Sequence, residues 1–208
     1  MGPIEVTELM TLSADALTCR RGGRLIFDQL SFSIASGRAL LVTGRNGVGK
    51  SSLLRMIAGL LRIAGGRLSL SGGDPEQTIG EQSHYLGHLD ALKPALSVAE
   101  NLSFWTSYLG GAGDPHEALE NVGLEALAHL PASYLSAGQR RRLSIARLIA
   151  VKRPLWLLDE PTAALDTDAQ AMLLTLLQSH LAGGGMVVAA THLPLGLADA
   201  GQLRLDAA

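Results

Sequence analysis

Gly44-Arg45-Asn46-Gly47-Val48-Gly49-Lys50-Ser51 is the stretch on which the fold turns. It follows a continuous apolar run, Ala39-Leu40-Leu41-Val42, of the kind that forms a strand buried on both faces. From Lys50 onward, Leu53, Leu54, Ile57, Leu60 and Leu61 recur at helical spacing, which predicts a helix stopped by Gly65-Gly66. Strand, glycine-rich loop and helix in that order make a cradle for phosphate. The glycines let backbone N–H groups turn inward, and the helix presents its positive end to the anion. Gly44, Arg45, Asn46, Gly47, Val48, Gly49, Lys50, Ser51 and Ser52 are therefore the candidate nucleotide-binding residues. Lys50 is placed to reach the β- and γ-phosphates of a nucleoside triphosphate, and the Ser51 hydroxyl to ligate Mg2+.

Upstream, residues 11 to 42 read as short strands broken by turns. Leu17-Thr18 begins one strand, Gly22-Gly23 is a turn, Ser31-Phe32-Ser33-Ile34 alternates with period two, and Ser36-Gly37 turns again. Arg67-Leu68-Ser69-Leu70 reads as a strand that rejoins this opening section. Residues 1 to 9 carry little pattern and read as a loose extension, with Met10 an alternative start.

Downstream the texture changes near His84. Ser97-Val98-Ala99-Glu100 is a capping box that opens a helix to about Tyr108. Gly110-Gly111-Ala112-Gly113 breaks that helix, and Asp114-Pro115 opens another. Strand signal is almost absent from roughly 85 to 145, which predicts a helical subdomain inserted into a core. The core resumes with Leu155-Trp156-Leu157-Leu158, a helix from Asp168 to Leu181, and Met186-Val187-Val188-Ala189-Ala190 ending at Thr191-His192. The expected fold is α/β and a single domain over 1–208. It combines a phosphate-loop core on a parallel sheet, an N-terminal antiparallel β section and the helical insertion.

Composition narrows the functions. At 208 residues and 47% hydrophobic, the chain can bury a substantial core. A net charge of −2 with scattered basic residues argues against a nucleic-acid surface. The one basic run, Arg140-Arg141-Arg142, reads as solvated helix-face charge or a subunit contact. The single cysteine, Cys19, excludes an internal disulfide and reads as a small buried hydrophobe. No apolar run approaches the roughly 20 residues that span a bilayer, and the N-terminus lacks a secretory pattern.

Two further motifs carry chemistry. Asp159 and Glu160 close a buried strand at its carboxyl end, where open α/β sheets hold their ligands. Asp159 is the candidate for holding Mg2+ through water, and Glu160 for polarising the attacking water as general base. Leu135, Ser136, Ala137, Gly138 and Gln139 form a small-residue turn before a helix, which marks a second phosphate site.

With these motifs in place, and Pro161-Thr162 after them, the chain resembles the ATP-binding-cassette family over nearly its whole length. That resemblance implies an ATPase using ATP and Mg2+, working as a homodimer in which each phosphate loop faces the partner's Leu135–Gln139 signature. It makes Ala164, Leu165 and Asp166 the loop that reports across the dimer, and His192 the histidine that contacts the γ-phosphate. There are departures. Ala137 and Ala163 replace a usual Gly and Ser, and His88 stands where most members carry a Gln that senses Mg2+ and water. The adenine-stacking aromatic is missing, with Arg20 or Arg21 falling about there.

Tyr85-Leu86-Gly87-His88 with Lys93, then Ala99-Glu100-Asn101-Leu102 and the Ala-containing signature, are similar to the ATPase subunit of the haem exporter of cytochrome c maturation. This implies a peripheral protein on the cytoplasmic face of a bacterial inner membrane, docked on integral membrane subunits. Haem would be handled by the complex and not bound by this chain, although His84 and His88 lie four apart; no Cys-x-x-Cys-His occurs. The residues leave open an ATPase for another solute, a soluble cassette acting on ribosomes or DNA, and a dead regulatory cassette.

Overall fold

The computed structural model describes residues 9–111 and 113–206. The first eight residues of the expected extension, and Ala112 of the glycine break, lie outside the described residues. The opening section is two long strands, β1 (Thr11–Arg21) and β2 (Arg24–Ala35), turning at Gly22-Gly23. β3 (Ala39–Thr43) leads through the glycine loop into α1 (Lys50–Ile57), and β4 (Gly65–Ser71) returns to pair antiparallel with β1. The resulting three-stranded sheet has the order β2-β1-β4. Ala16, at φ 46°, is one residue too many against both neighbours, so it bulges. The bulge resets the alternation and keeps Leu17 and Cys19 on the same buried face as Leu12 and Ala14.

α1 is shorter than its apolar period suggests. Leu60 and Leu61 lie beyond it, because Gly59 takes φ 73° and Leu60 N donates back to Arg55 O at 2.8 Å. With Gly59 N on Met56 O at 3.1 Å, these two bonds close the helix as a glycine cap. Gly65-Gly66 opens β4 instead of ending α1.

The helical insertion begins later than its texture change. Ser83 to Leu86 form β5, a strand of the parallel sheet that includes His84 and Tyr85. α2 (Val98–Tyr108) carries the capping box: Glu100 N donates to Ser97 Oγ and Ser97 N to Glu100 Oε2, an arrangement worth about 1 kcal/mol. α3 (Pro115–Asn121) is capped by Asp114, and α4 (Ala137–Ala150) runs past the expected boundary at 145.

β6 (Leu155–Asp159), α5 (Thr167–Ala182), β7 (Met186–Ala190) and β8 (Gly201–Arg204) complete the chain. The five-stranded sheet has the order β5-β6-β7-β3-β8, with every pairing parallel. Alternation along its strands builds two cores. Trp156, Leu158, Val187 and Ala189 face the helical insertion and α5, while Leu155, Leu157, Met186, Val188 and Ala190 face α1 and the antiparallel sheet. Each fully buried aliphatic side chain contributes about 1.5–3 kcal/mol, which explains why these strands are apolar on both faces. No described helix is long and apolar enough to cross a membrane.

Candidate active site

Parallel pairing brings the carboxyl ends of β3, β5, β6 and β7 to one edge of the sheet. The phosphate loop leaves β3, Gly87-His88 follows β5, Glu160 follows β6, and Thr191-His192 follows β7. Strand alternation puts Asp159 on the same face as Leu155 and Leu157, the side covered by α1 and hence by Lys50 and Ser51.

The loop needs its glycines. Gly49 has φ 116°, and a Cβ there would stand 2.5 Å from Ile26 Cγ2. Gly44 has φ 138°, and a Cβ would collide with the Leu205 carbonyl. α1 alone among the five α-helices of the described residues has no side-chain cap and no acid in its first turn. Lys50 is 7% exposed and pairs with no carboxylate among the described residues. Its Nζ donates to Gly44 O at 2.8 Å and Arg45 O at 3.3 Å. A buried cation without an acid, beside an uncapped helix start, fits a polyanionic ligand.

Four side chains meet here. His192 Nε2 lies 3.0 Å from Lys50 Nζ, 2.6 Å from Asn46 Oδ1 and 3.5 Å from Glu160 Oε1. One nitrogen cannot serve all three in one protonation state. A bare Nε2 accepts from Lys50; a protonated Nε2 donates to Asn46 with Glu160 behind it. Asp159, 4% exposed, accepts no hydrogen bond on its carboxylate among the described residues, so it is available to a hydrated divalent cation.

Glu160 takes φ 46° and Ala164 φ 64°, uncommon for residues with a Cβ, so the loop after β6 is held against its local preference. Glu160 N donates to Ala190 O at 2.9 Å, which ties the loop to the end of β7. Asp166 caps α5, accepting from Ala169 N at 2.9 Å. Leu165 is buried beneath that cap.

The signature is a second capping box. Gln139 N donates to Ser136 Oγ at 3.2 Å, and Ser136 N donates to Gln139 Oε1 at 2.9 Å. Leu135 is buried, whereas Ser136 and Ala137 are exposed, so a methyl at 137 meets solvent. Gly138 is different: a Cβ there would stand 2.9 Å from Ala164 O. No hydrogen bond among the described residues joins 135–139 to 44–52.

His88 is exposed and is not drawn into the Lys50–His192 cluster. It lines a cleft of about 1360 Å³ between α1 and α2, together with Tyr85, Leu89, Trp105 and Tyr108. His84 is buried instead, its Nε2 2.7 Å from Val151 O, and burial pushes its pKa down to about 3. Arg20 and Arg21 are exposed at the end of β1. Cys19 is fully buried, which raises its thiol pKa.

The arginine run overturns the reading of solvated charge. Arg141 is 3% exposed and bonds the loops that follow β5 and β6, while Arg140 donates to Leu135 O and Arg142 to Val122 O. Three adjacent arginines look alike in sequence, but on a helix they point about 100° apart, and the middle one faces inward.

The family model described as ABC transporter matches residues 27–163. The chain belongs to the ABC transporter family. It is 61% identical over 201 residues to the cytochrome c biogenesis ATP-binding export protein CcmA of Nitrobacter hamburgensis, covering 94% of this chain and 98% of that protein. It is 62% identical over 200 residues to the protein of the same name from Nitrobacter winogradskyi, covering 96% of this chain and all of the other. An ABC transporter ATP-binding protein from Pyrococcus furiosus has the same fold, with a TM-score of 0.81 at 23% identity over 94% of this chain and 97% of that one. Membership of the family implies that the nucleotide is ATP.

Proposed function

We propose that this chain is the ATP-hydrolysing subunit of the haem exporter that serves cytochrome c biogenesis. The convergence of Lys50, Asn46, Glu160 and His192 within 3.5 Å around one nitrogen carries the hydrolytic part. The names of the close relatives support the export role in cytochrome c biogenesis.

Lys50 and the first-turn amides of α1 bind the β- and γ-phosphates, and Ser51 Oγ and Asp159 are the groups that would hold Mg2+. Mg2+ held there would supply positive charge to the phosphate oxygens. Glu160 orients the attacking water and takes its proton as the water oxygen bonds to the γ-phosphorus. His192 donates to a γ-phosphate oxygen and so registers whether the terminal phosphate is attached. Ser136, Gly138 and the start of α4 serve the nucleotide of a twin chain across a twofold axis, with Ala164 to Asp166 between the two sites. Loss of the γ-phosphate then releases the grip of both halves.

The cleft lined by His88 is where we place the membrane subunits, on the cytoplasmic face of the inner membrane. Its surroundings support this: Leu60, Leu89 and Tyr108 are 64%, 81% and 72% exposed there. Such a group of exposed apolar side chains favours a partner over solvent.

Mixing a Ser136 variant with a Lys50 variant tests the shared site, since each mixed dimer retains one intact composite site. Recovery of hydrolysis is the expected result, and two inactive variants that stay inactive when mixed remove the trans arrangement. For the cargo, the native membrane complex is isolated and its absorption spectrum recorded. Haem bands that change on ATP addition are expected; a complex without haem bands leaves export of a different solute.

A further inference from the structure

Arg141 is the most heavily engaged buried charge outside the proposed catalytic cluster. Its guanidinium has five N–H groups, and each meets an acceptor. Nη2 donates to Asp159 O at 3.0 Å and Glu160 O at 2.8 Å. Nε donates to Pro161 O at 3.3 Å. Nη1 donates to Gly87 O at 2.8 Å and to Asp90 Oδ1 at 3.5 Å. Ser144, one turn along α4, adds a bond to Asp90 O at 2.9 Å. Burial pulls the Arg141 pKa down, while Asp90, Asp159 and Glu160 act against that shift. A guanidinium so enclosed is tolerated only because all its donors are met.

The bonds from Nη2 have a specific geometric effect. The carbonyls of 159 and 160 belong to the two peptide planes that flank the Glu160 Cα. Holding both on one nitrogen restrains φ and ψ at Glu160, alongside Glu160 N on Ala190 O at 2.9 Å and Ala163 N on Glu160 O at 3.1 Å. That residue sits at φ 46°, which costs an L-residue about 1–2 kcal/mol. Without the clamp, those two backbone bonds alone oppose relaxation toward ordinary backbone, which would turn the carboxylate to a new direction.

We propose that Arg141 is a positioning residue for hydrolysis: it locks the backbone on both sides of Glu160 and makes the direction of that carboxylate follow the placement of α4. The signature lies at the start of α4, so seating of the signature on a partner's nucleotide is transmitted to the base of the same chain through one side chain. The same guanidinium grips the His88 segment through Gly87 and Asp90, so that loop travels with them. This inference rests on the reading of Glu160 as the base.

The test uses the native membrane complex carrying R141M or R141K. R141M keeps an unbranched apolar stem, shorter than arginine, and removes every donor; R141K keeps the charge and offers one nitrogen where arginine offers three. R141M is expected to lower kcat about tenfold or more with the KM for ATP within about twofold, and R141K to recover part of that loss. In an E160Q background, ATP-dependent dimerisation of the R141K chain is expected to be undiminished. Unchanged kcat in folded R141M overturns the inference, as does a loss that appears in KM or in dimerisation. Should R141M fail to fold, full kcat in R141K is the overturning result. Hydrolysis by E160Q at the normal rate removes the base assignment itself; E160Q inactive beside fully active R141M removes only the role of Arg141.

Discussion

His192 and Lys50, 142 positions apart in the chain, meet with Nε2 and Nζ 3.0 Å from each other. Parallel pairing of β3 with β7 makes this meeting unavoidable, because the loop and the histidine leave adjacent strands at the same edge. Lys50 is held by backbone carbonyls of its own loop, whereas His192 has only side chains as partners on that nitrogen. The two residues therefore separate in function. Lys50→Ala is expected to abolish ATP binding, whereas His192→Ala retains binding and loses roughly a hundredfold in kcat. Equilibrium binding of a fluorescent ATP analogue beside steady-state hydrolysis decides this, and equal loss of binding in both variants contradicts it.

Glu160→Gln removes the proposed proton acceptor and preserves side-chain shape. Turnover is expected to vanish while ATP-bound dimers accumulate, visible by size-exclusion chromatography with ATP and Mg2+. A Gln variant that hydrolyses ATP normally would falsify the assignment of the base.

Asp159 is a buried carboxylate that accepts no hydrogen bond among the described residues. Asp159→Asn is expected to weaken apparent Mg2+ affinity roughly ten- to a hundredfold, as for groups that orient metal-bound water. Titrating Mg2+ against hydrolysis at fixed ATP measures the shift; an unmoved midpoint assigns the metal elsewhere.

The two small residues of the signature differ in what surrounds them. Ala137 is exposed, so Ala137→Gly leaves hydrolysis near its original rate. Gly138→Ala brings a methyl against Ala164 O, and relieving that overlap costs about 1–3 kcal/mol. If the cost falls on the closed dimer, hydrolysis drops roughly tenfold or more. Comparable rates for both variants would show that the contact is irrelevant to turnover.

Acid stability follows from His84. Its pKa is lowered from 6.5 to about 3, chiefly by burial, so the unfolded chain binds a proton that the native chain refuses. Stability from this site is complete above pH 6.5 and is lost as pH falls from 6.5 toward 3. The limiting slope is about 1.4 kcal/mol per pH unit. His180, also lowered by burial, acts in the same direction. Urea melts of His84→Gln should therefore show a shallower loss of stability between these limits, and a slope equal to that of the unmodified chain contradicts the assignment.

Much of this architecture is legible in the chain because alternation and apolar runs are strong signals. Leu155 to Leu158 and Met186 to Ala190 are apolar on both faces because two separate cores meet them, and the capping residues Ser97, Asp114 and Ser136 mark helix starts directly. β5 and β8 were not legible. Ser83 to Leu86 mixes polar and apolar side chains over four residues, and Gly201 to Arg204 has a single apolar one. Leu60 and Leu61 extend the period of α1 by coincidence, since periodicity cannot report that Gly59 has turned the chain.

The candidate site residues that the chain announces are the contiguous ones: the loop from Gly44 to Ser51, the Asp159-Glu160 pair and the signature. What spacing could not reveal was burial within a run of like charges. Arg141 differs from Arg140 and Arg142 only in which way α4 turns it, and that depends on what packs against the helix.

The closeness of Gly138 to the Ala164 carbonyl, beside the openness around Ala137, bears on how relatives are recognised. Of two adjacent small positions, only the second is sterically obliged to lack a side chain. A pattern search that insists on a glycine doublet would pass over this chain, whereas one that fixes the second position and frees the first would retain it.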